Sequence, residues 1–145
     1  MTINVGTHGI RQNRFWLLFL LLLVIFGAQY YTSTDSNAFS PYFTKTVTNT
    51  AKGQLERCRR LTGAKKHNCV ANALDNLAAQ ISSKPDYRPA ARIIRRAAAK
   101  VRRTKSKNKA ISAVRAAKSQ LLRTGLAEYK TLATVMDTAK SVLRS

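Results

Sequence analysis

An unbroken apolar run near the start of the chain is the feature that most constrains its fold. Residues 15–26 read FWLLFLLLLVIF, and Arg11 and Arg14 precede them. A helix without a polar face is typical of a membrane segment rather than of the core of a soluble domain. The run is shorter than the roughly 20 residues that span a bilayer. Extending it to residue 31 brings it close to that length but includes Gln29.

Two interpretations of this segment stand side by side. A basic start followed by about 7–15 apolar residues is the pattern of a secretory signal. No favourable cleavage site follows the run directly, because a cut after Ala28 would leave the bulky Phe26 at the third position before the cut. Residues 15–31 are therefore predicted to be either a cleaved signal peptide or a single transmembrane anchor, with the membrane as the partner.

The flanking charges predict the orientation of this segment. Residues 1–14 carry Arg11 and Arg14, whereas residues 29–44 carry Asp35 and no Lys or Arg. The more basic flank of a membrane segment stays in the cytoplasm. Residues 1–14 are therefore a predicted cytoplasmic region, and residues 32–145 are exported. The predicted location is the inner membrane facing the periplasm, or the periplasm or exterior if the signal is cleaved.

Composition indicates the class of the exported part. The chain has 145 residues with 26 Lys and Arg against six acids, a net charge of +20, and only six Gly and three Pro. Few helix breakers favour helix, and the charge implies an anionic partner. Residues 32–49, rich in Ser, Thr and Asn, are a predicted polar linker. Residues 50–145 are a predicted basic helical domain.

The predicted fold class is all-α: a small helical bundle behind an N-terminal membrane or signal helix. Its first part is a helical hairpin, with one helix at about residues 50–61, a stop at Gly63 and a second helix capped by Asn68. Cys58 and Cys69 then lie on either side of the bend, where their Cα atoms can come within the ~4.4–6.8 Å of a disulfide.

The cysteines allow other interpretations. Cys58, Cys69 and His67 could begin a metal site, but structural zinc takes four ligands and no fourth stands nearby. No metal is predicted. The neighbouring arginines could make Cys58 a reactive thiol, and two buried free thiols are a further alternative. The disulfide is the prediction adopted.

A basic helix follows, at about residues 90–104. At 100° per residue its Lys and Arg side chains share one side, while Ala90, Ile94, Ala97 and Val101 form the opposite stripe. Like charges four residues apart destabilise a helix, so a run of fourteen basic residues and one acid over residues 84–123 favours a counter-charged partner. A solvated face that keeps the protein soluble is the alternative. The predicted anion-binding residues are Arg88, Arg92, Arg95, Arg96, Lys100, Arg102, Arg103 and Lys107.

The last predicted element is one long helix over residues 109–144, after a basic turn at residues 105–109. Apolar residues recur in one phase through this stretch, and Gly125 is a weak point within it. A stripe of this length must cover another element of the chain or a partner. It therefore also predicts helix-mediated homo- or hetero-oligomerisation.

No enzyme is predicted, and no cofactor. The six acids are scattered singly, and no phosphate-binding Gly loop or known catalytic motif occurs. The predicted function is a non-enzymatic exported or membrane-anchored envelope protein whose basic helical domain binds an anionic surface, either acidic lipid or an envelope polymer. One alternative is a nucleic-acid-binding protein acting at the envelope, although the basic segment lacks interleaved aromatics for stacking. The other is a scaffold or assembly subunit that uses helix 109–144.

Overall fold

The computed structural model describes residues 40–145, which form an all-helical domain without strands. Its five α-helices are α1 (Pro41–Arg57), α2 (Gly63–Ser82), α3 (Arg88–Arg103), α4 (Lys107–Arg123) and α5 (Ala127–Arg144), with 3-10 turns at Cys58–Arg60 and Pro85–Tyr87. This confirms the predicted all-α class for this part of the chain. The predicted membrane or signal segment, residues 15–31, lies outside it. Among the described residues, no helix combines the length and the apolarity needed to cross a bilayer.

The helices form an up-and-down bundle that closes on itself. Each helix packs against the next one in the chain, and α5 also packs against α1. At one end, the Thr44 and Tyr87 hydroxyls lie 2.5 Å apart, and the Tyr129 hydroxyl donates to the Asp86 carbonyl at 2.8 Å. We call this the Tyr87 end. Because α1 and α5 both begin there, the first and last helices run parallel.

The opposite end, which we call the disulfide end, holds the link between α1 and α2. Cys58 and Cys69 form a disulfide with Cα atoms 5.7 Å apart, as their spacing predicted. Both sulfurs are therefore unavailable as thiols or metal ligands. Closing a loop of this size stabilises a domain by up to about 3 kcal/mol in the chain-entropy model. Arg59 donates to the Ser141 hydroxyl at 3.1 Å and so joins this end of α1 to the end of α5.

Helix α1 begins at Pro41, nine residues before the predicted start at residue 50. Ser40 caps it by accepting a hydrogen bond from the Phe43 amide at 3.2 Å, and proline suits a first helical turn. The added turns bury Thr44, Val47 and Thr48. Residues 41–49 therefore belong to the bundle rather than to a linker.

Helix α2 begins at Gly63, five residues before the predicted cap Asn68, which is an exposed residue inside the helix. Gly63 has a φ of +55°, so the residue predicted to stop one helix also sets the direction of the next. The predicted hairpin is correct, but its connection is shorter than expected.

The prediction of one helix over residues 109–144 is wrong. The chain forms two helices, α4 and α5, which pack against each other. Gly125 has a φ of +74°, a conformation that glycine adopts readily and that ends a helix. Helix α4 begins at Lys107, two residues before the predicted start, and Ser106 caps it by accepting from the Lys109 amide at 3.4 Å.

The apolar stripe of α4 and α5 lies inside the domain. Its large residues are buried between these helices and their neighbours, apart from Leu122 and Leu126 at the turn, which are 41 % and 39 % exposed. The buried members are Ile111, Val114, Leu121, Tyr129, Leu132, Met136 and Leu143. The surface on which the scaffold hypothesis depended is therefore largely covered within one chain.

Candidate anion-binding surface

Helix α3 is held in one orientation by its small apolar side. Ala90, Ile94, Ala97 and Val101, the stripe predicted from the sequence, are all buried in the bundle, together with Ala91 and Ala98. Short side chains let a neighbouring helix approach closely. The opposite side of α3 faces solvent as a consequence, and it carries the basic residues.

All eight predicted anion-binding residues are exposed, but they divide into two groups. The side chains of five of them form no hydrogen bond or ion pair with any residue in the range 40–145. We call these the α3 basic face: Arg88, Arg92, Arg96, Lys100 and Arg103. At 100° per residue they cover about 120° of the helix circumference, over a length of about 22 Å.

The other three predicted residues contact the domain itself. Arg95 donates to the Ser82 hydroxyl at 3.3 Å, and Lys107 donates to the Arg144 carbonyl. Arg102 reaches across to α2, where it contacts Asn72 Oδ1 at 2.9 Å and Asp75 Oδ2 at 2.6 Å. These contacts help to hold α3 and α4 in place and separate the three residues from the α3 basic face.

The acids of the described part leave the α3 basic face uncompensated. Glu56, Asp75 and Asp137 form their ion pairs with other basic residues. A hydrogen bond from Arg59 lowers the pKa of Glu56. Asp86 and Glu128 form no ion pair within residues 40–145, and both belong to the Tyr87 end. No carboxylate of residues 40–145 therefore forms an ion pair with the face.

Helix α4 adds a residue that the sequence did not single out. An open groove between α3 and α4 is lined by Lys100, Arg103, Thr104, Lys109, Ser112, Ala113 and Ala116. Lys109 was predicted to lie at the boundary between the basic turn and the following helix, and it falls in the first turn of α4 and faces this groove. No local pattern could have shown this, because the position of Lys109 beside Lys100 depends on how two helices pack.

This arrangement suits an extended anion. Arginine binds phosphate and carboxylate through two parallel hydrogen bonds, whereas lysine acts as a compact charge. Five such groups along an exposed helix can contact several anionic groups in a row. Within residues 40–145, no group of three or more His, Cys, Asp and Glu side chains could hold a metal ion.

Comparison with models of protein families, with curated proteins and with solved structures finds no match to this chain.

Proposed function

We propose that this protein is a non-enzymatic, exported or membrane-anchored protein whose α3 basic face binds an anionic surface, either acidic lipid headgroups or an acidic envelope polymer. The observation that carries the proposal is the row of five exposed cations without a carboxylate partner in residues 40–145. A face that served only solubility would be expected to mix both signs of charge, which lowers repulsion within the helix. The apolar run at residues 15–26 supports a place at a membrane.

The expected strength of binding follows from the number of cations. Each Lys or Arg close to an anionic membrane contributes about 1 kcal/mol, and salt screens the interaction beyond a Debye length. Removing three of them should therefore lower the affinity by about 100-fold. Reversing their charge should lower it further.

The test compares two triple variants of the full chain in zwitterionic nanodiscs, with capture of phosphatidylglycerol vesicles as the readout. Arg92→Glu, Arg96→Glu and Lys100→Glu reverse the centre of the α3 basic face. The control reverses Arg115, Arg123 and Lys130, which are exposed and form no ion pair within residues 40–145. Both variants change the net charge equally. Loss of capture in the first variant alone is the expected result.

Two outcomes would contradict the proposal. Equal loss in both triple variants would mean that net charge, and not this face, attracts the vesicles. Unchanged capture by the first variant, with the same salt dependence, would remove the face from the function altogether.

Nucleic acid is the rival partner, because the same charge provides the electrostatic footprint of a DNA- or RNA-binding protein. Salt dependence cannot separate the two, since both interactions are electrostatic. Adding duplex DNA to the captured vesicles separates the two partners by competition. If DNA releases the vesicles at phosphate concentrations far below those of the lipid, nucleic acid becomes the preferred ligand.

A further inference from the structure

A second basic site lies at the disulfide end of the bundle. A half-open cavity of about 230 Å³ lies between the start of α2, the turn between α3 and α4, and the end of α5. We call it the terminal cavity. It is lined by Thr62, Gly63, Lys66, His67, Lys105, Lys107, Leu143 and Ser145. It is smaller than the roughly 300–1,000 Å³ of pockets for drug-sized ligands, so it suits a single small group.

Lys66 is the unusual residue of this cavity. It is only 8 % exposed, and its ammonium contacts the neutral Ser145 hydroxyl at 3.4 Å. A lysine side chain that is largely withdrawn from water is favoured by an anion or several hydrogen bonds at its ammonium. No carboxylate in residues 40–145 forms an ion pair with Lys66, Lys105 or Lys107. The terminal cavity therefore gathers three lysines that form no ion pair within residues 40–145, and its lining also includes Ser145 at the carboxyl end of α5.

His67 adds a second buried polar group, with 7 % of its surface exposed. Its Nδ1 lies 2.9 Å from the Thr104 carbonyl oxygen. A carbonyl oxygen only accepts, so Nδ1 carries the proton. This contact fixes the ring and leaves Nε2 without a hydrogen-bond partner among the described residues.

The start of α2 contributes a positive potential as well. Thr62 precedes the helix, but its side chain makes no capping hydrogen bond. The first amides of an α-helix have no partner within the helix, and the helix dipole favours an anion near them. Thr62 and Gly63 both line the cavity. The start of α2 and the three lysines therefore line the same small volume, with the end of α5 on its other side.

We propose that the terminal cavity binds a phosphate-type oxyanion, with the Lys66 ammonium at its buried side and Lys105 and Lys107 at its rim. This site is separate from the α3 basic face and does not depend on the function proposed for that face. The anion can be the headgroup phosphate of a lipid or a diffusible phosphate.

The chain provides a direct reporter for this site, because it has two histidines and one of them lies outside the described domain. The experiment follows the ring signals of His67 and His8 by NMR in the full chain, held in nonionic micelles and titrated with inorganic phosphate at constant ionic strength. His8→Gln assigns the two signals. The expected result is a saturable shift of the His67 signal with phosphate and not with chloride, while the His8 signal stays unchanged.

Variants test whether the lysines hold the anion. Lys66→Met keeps most of the aliphatic stem and removes the charge, and it should weaken phosphate binding by about 10-fold or more, the range for a lost charged hydrogen bond. Lys45→Met, an exposed lysine on α1, is the matched control and should bind as the native chain does. If Lys66→Met does not fold, Lys105→Met replaces it and should weaken phosphate binding several-fold.

Two arms then identify the source of the anion. Nanodiscs that contain phosphatidic acid, without free phosphate, should shift the His67 signal if the ligand is a headgroup. A response to free phosphate alone indicates a diffusible ligand. The proposal is overturned if His67 responds to neither, responds equally to chloride, or titrates identically in the native chain and the Lys66→Met and Lys105→Met variants. Vesicle capture by the α3 basic face should persist in Lys66→Met, so the two proposals fail independently.

Discussion

Asp137 shows how this basic domain uses its few acids. Its carboxylate accepts hydrogen bonds from Lys118 at 2.8 and 2.6 Å and from Lys140 at 3.5 Å. Burial on its own would raise the pKa of Asp137, but the hydrogen bonds and charges of Lys118 and Lys140 outweigh it. The pKa of Asp137 is therefore lower than its ordinary value of 3.8.

This shift predicts a dependence of stability on pH. A carboxyl whose pKa is lower in the folded state stabilises the fold above its unfolded pKa, and that contribution is lost as the pH falls through the folded pKa. Asp137→Asn should lower the free energy of unfolding at pH 7 by at most about 1 kcal/mol, because the pair is partly exposed. At pH 2, well below the unfolded pKa, the difference in stability between the variant and the native chain should be smaller than at pH 7. Urea unfolding of the full chain at both pH values measures this.

The matched control is Glu128→Gln, which removes a carboxylate on the same helix that has no ion pair within residues 40–145. At pH 7, Glu128→Gln should change the free energy of unfolding less than Asp137→Asn does. A loss in Asp137→Asn that is equal at both pH values would mean that the ion pair does not stabilise the fold.

At the scale of the element, two glycines that both have open space where a Cβ would lie have opposite roles. Gly125 has a φ of +74°, where a side chain is strained. Gly53 lies inside α1, where alanine is the better helix former. Gly125→Ala should lower the free energy of unfolding by about 1 kcal/mol or more, and Gly53→Ala should raise it by about 0.5–1 kcal/mol.

Thermal and urea unfolding of the two single variants are the measurements. The substitution is the same and both sites have open space for a Cβ. Opposite changes in the free energy of unfolding would therefore be caused by the difference in backbone conformation. If Gly125→Ala stabilised the protein, the turn between α4 and α5 would not need a positive φ, and a continuous helix would be favoured again.

The same elements show what local sequence patterns can predict. The hairpin and its disulfide were predictable because Gly63 and the spacing of Cys58 and Cys69 act over a short distance. The break at Gly125 was missed because the apolar phase continues across it, and two antiparallel helices that face one core can keep the phase of a single helix. The start of α1 was missed because Thr44 and Thr48, polar by type, are buried.

The whole molecule is expected to be a monomer. The long apolar stripe that suggested a partner is largely buried between α4, α5 and their neighbours. The large exposed apolar residues of the described part are Tyr42, Leu122 and Leu126. Repulsion between highly basic copies also opposes association. Native mass spectrometry of the full chain released from micelles should give one copy, in the native chain and in a Leu122→Lys, Leu126→Lys variant. A dimer that the double variant dissociates would restore the scaffold hypothesis.

The candidate sites were predictable to different degrees at this scale. The α3 basic face follows from a helical wheel, because burial of one side of a helix dictates what the other side presents. The helical wheel does not show which arginine side chains lack partners, because Arg95 and Arg102 form hydrogen bonds with residues of α2. The terminal cavity combines residues about 80 positions apart in the chain, and only the packing of the bundle brings them together.

The parallel pairing of α1 and α5 has a consequence for the order of folding. Helices adjacent in the chain can pair as soon as both exist, and such local contacts favour fast folding. The contact between Arg59 and Ser141 instead joins residues 82 positions apart. During synthesis α5 emerges after the other four described helices, so the side of α1 that it covers stays open to water until then. The hairpin of α1 and α2 can acquire its disulfide well before that moment, which limits how far the unfinished chain can unravel.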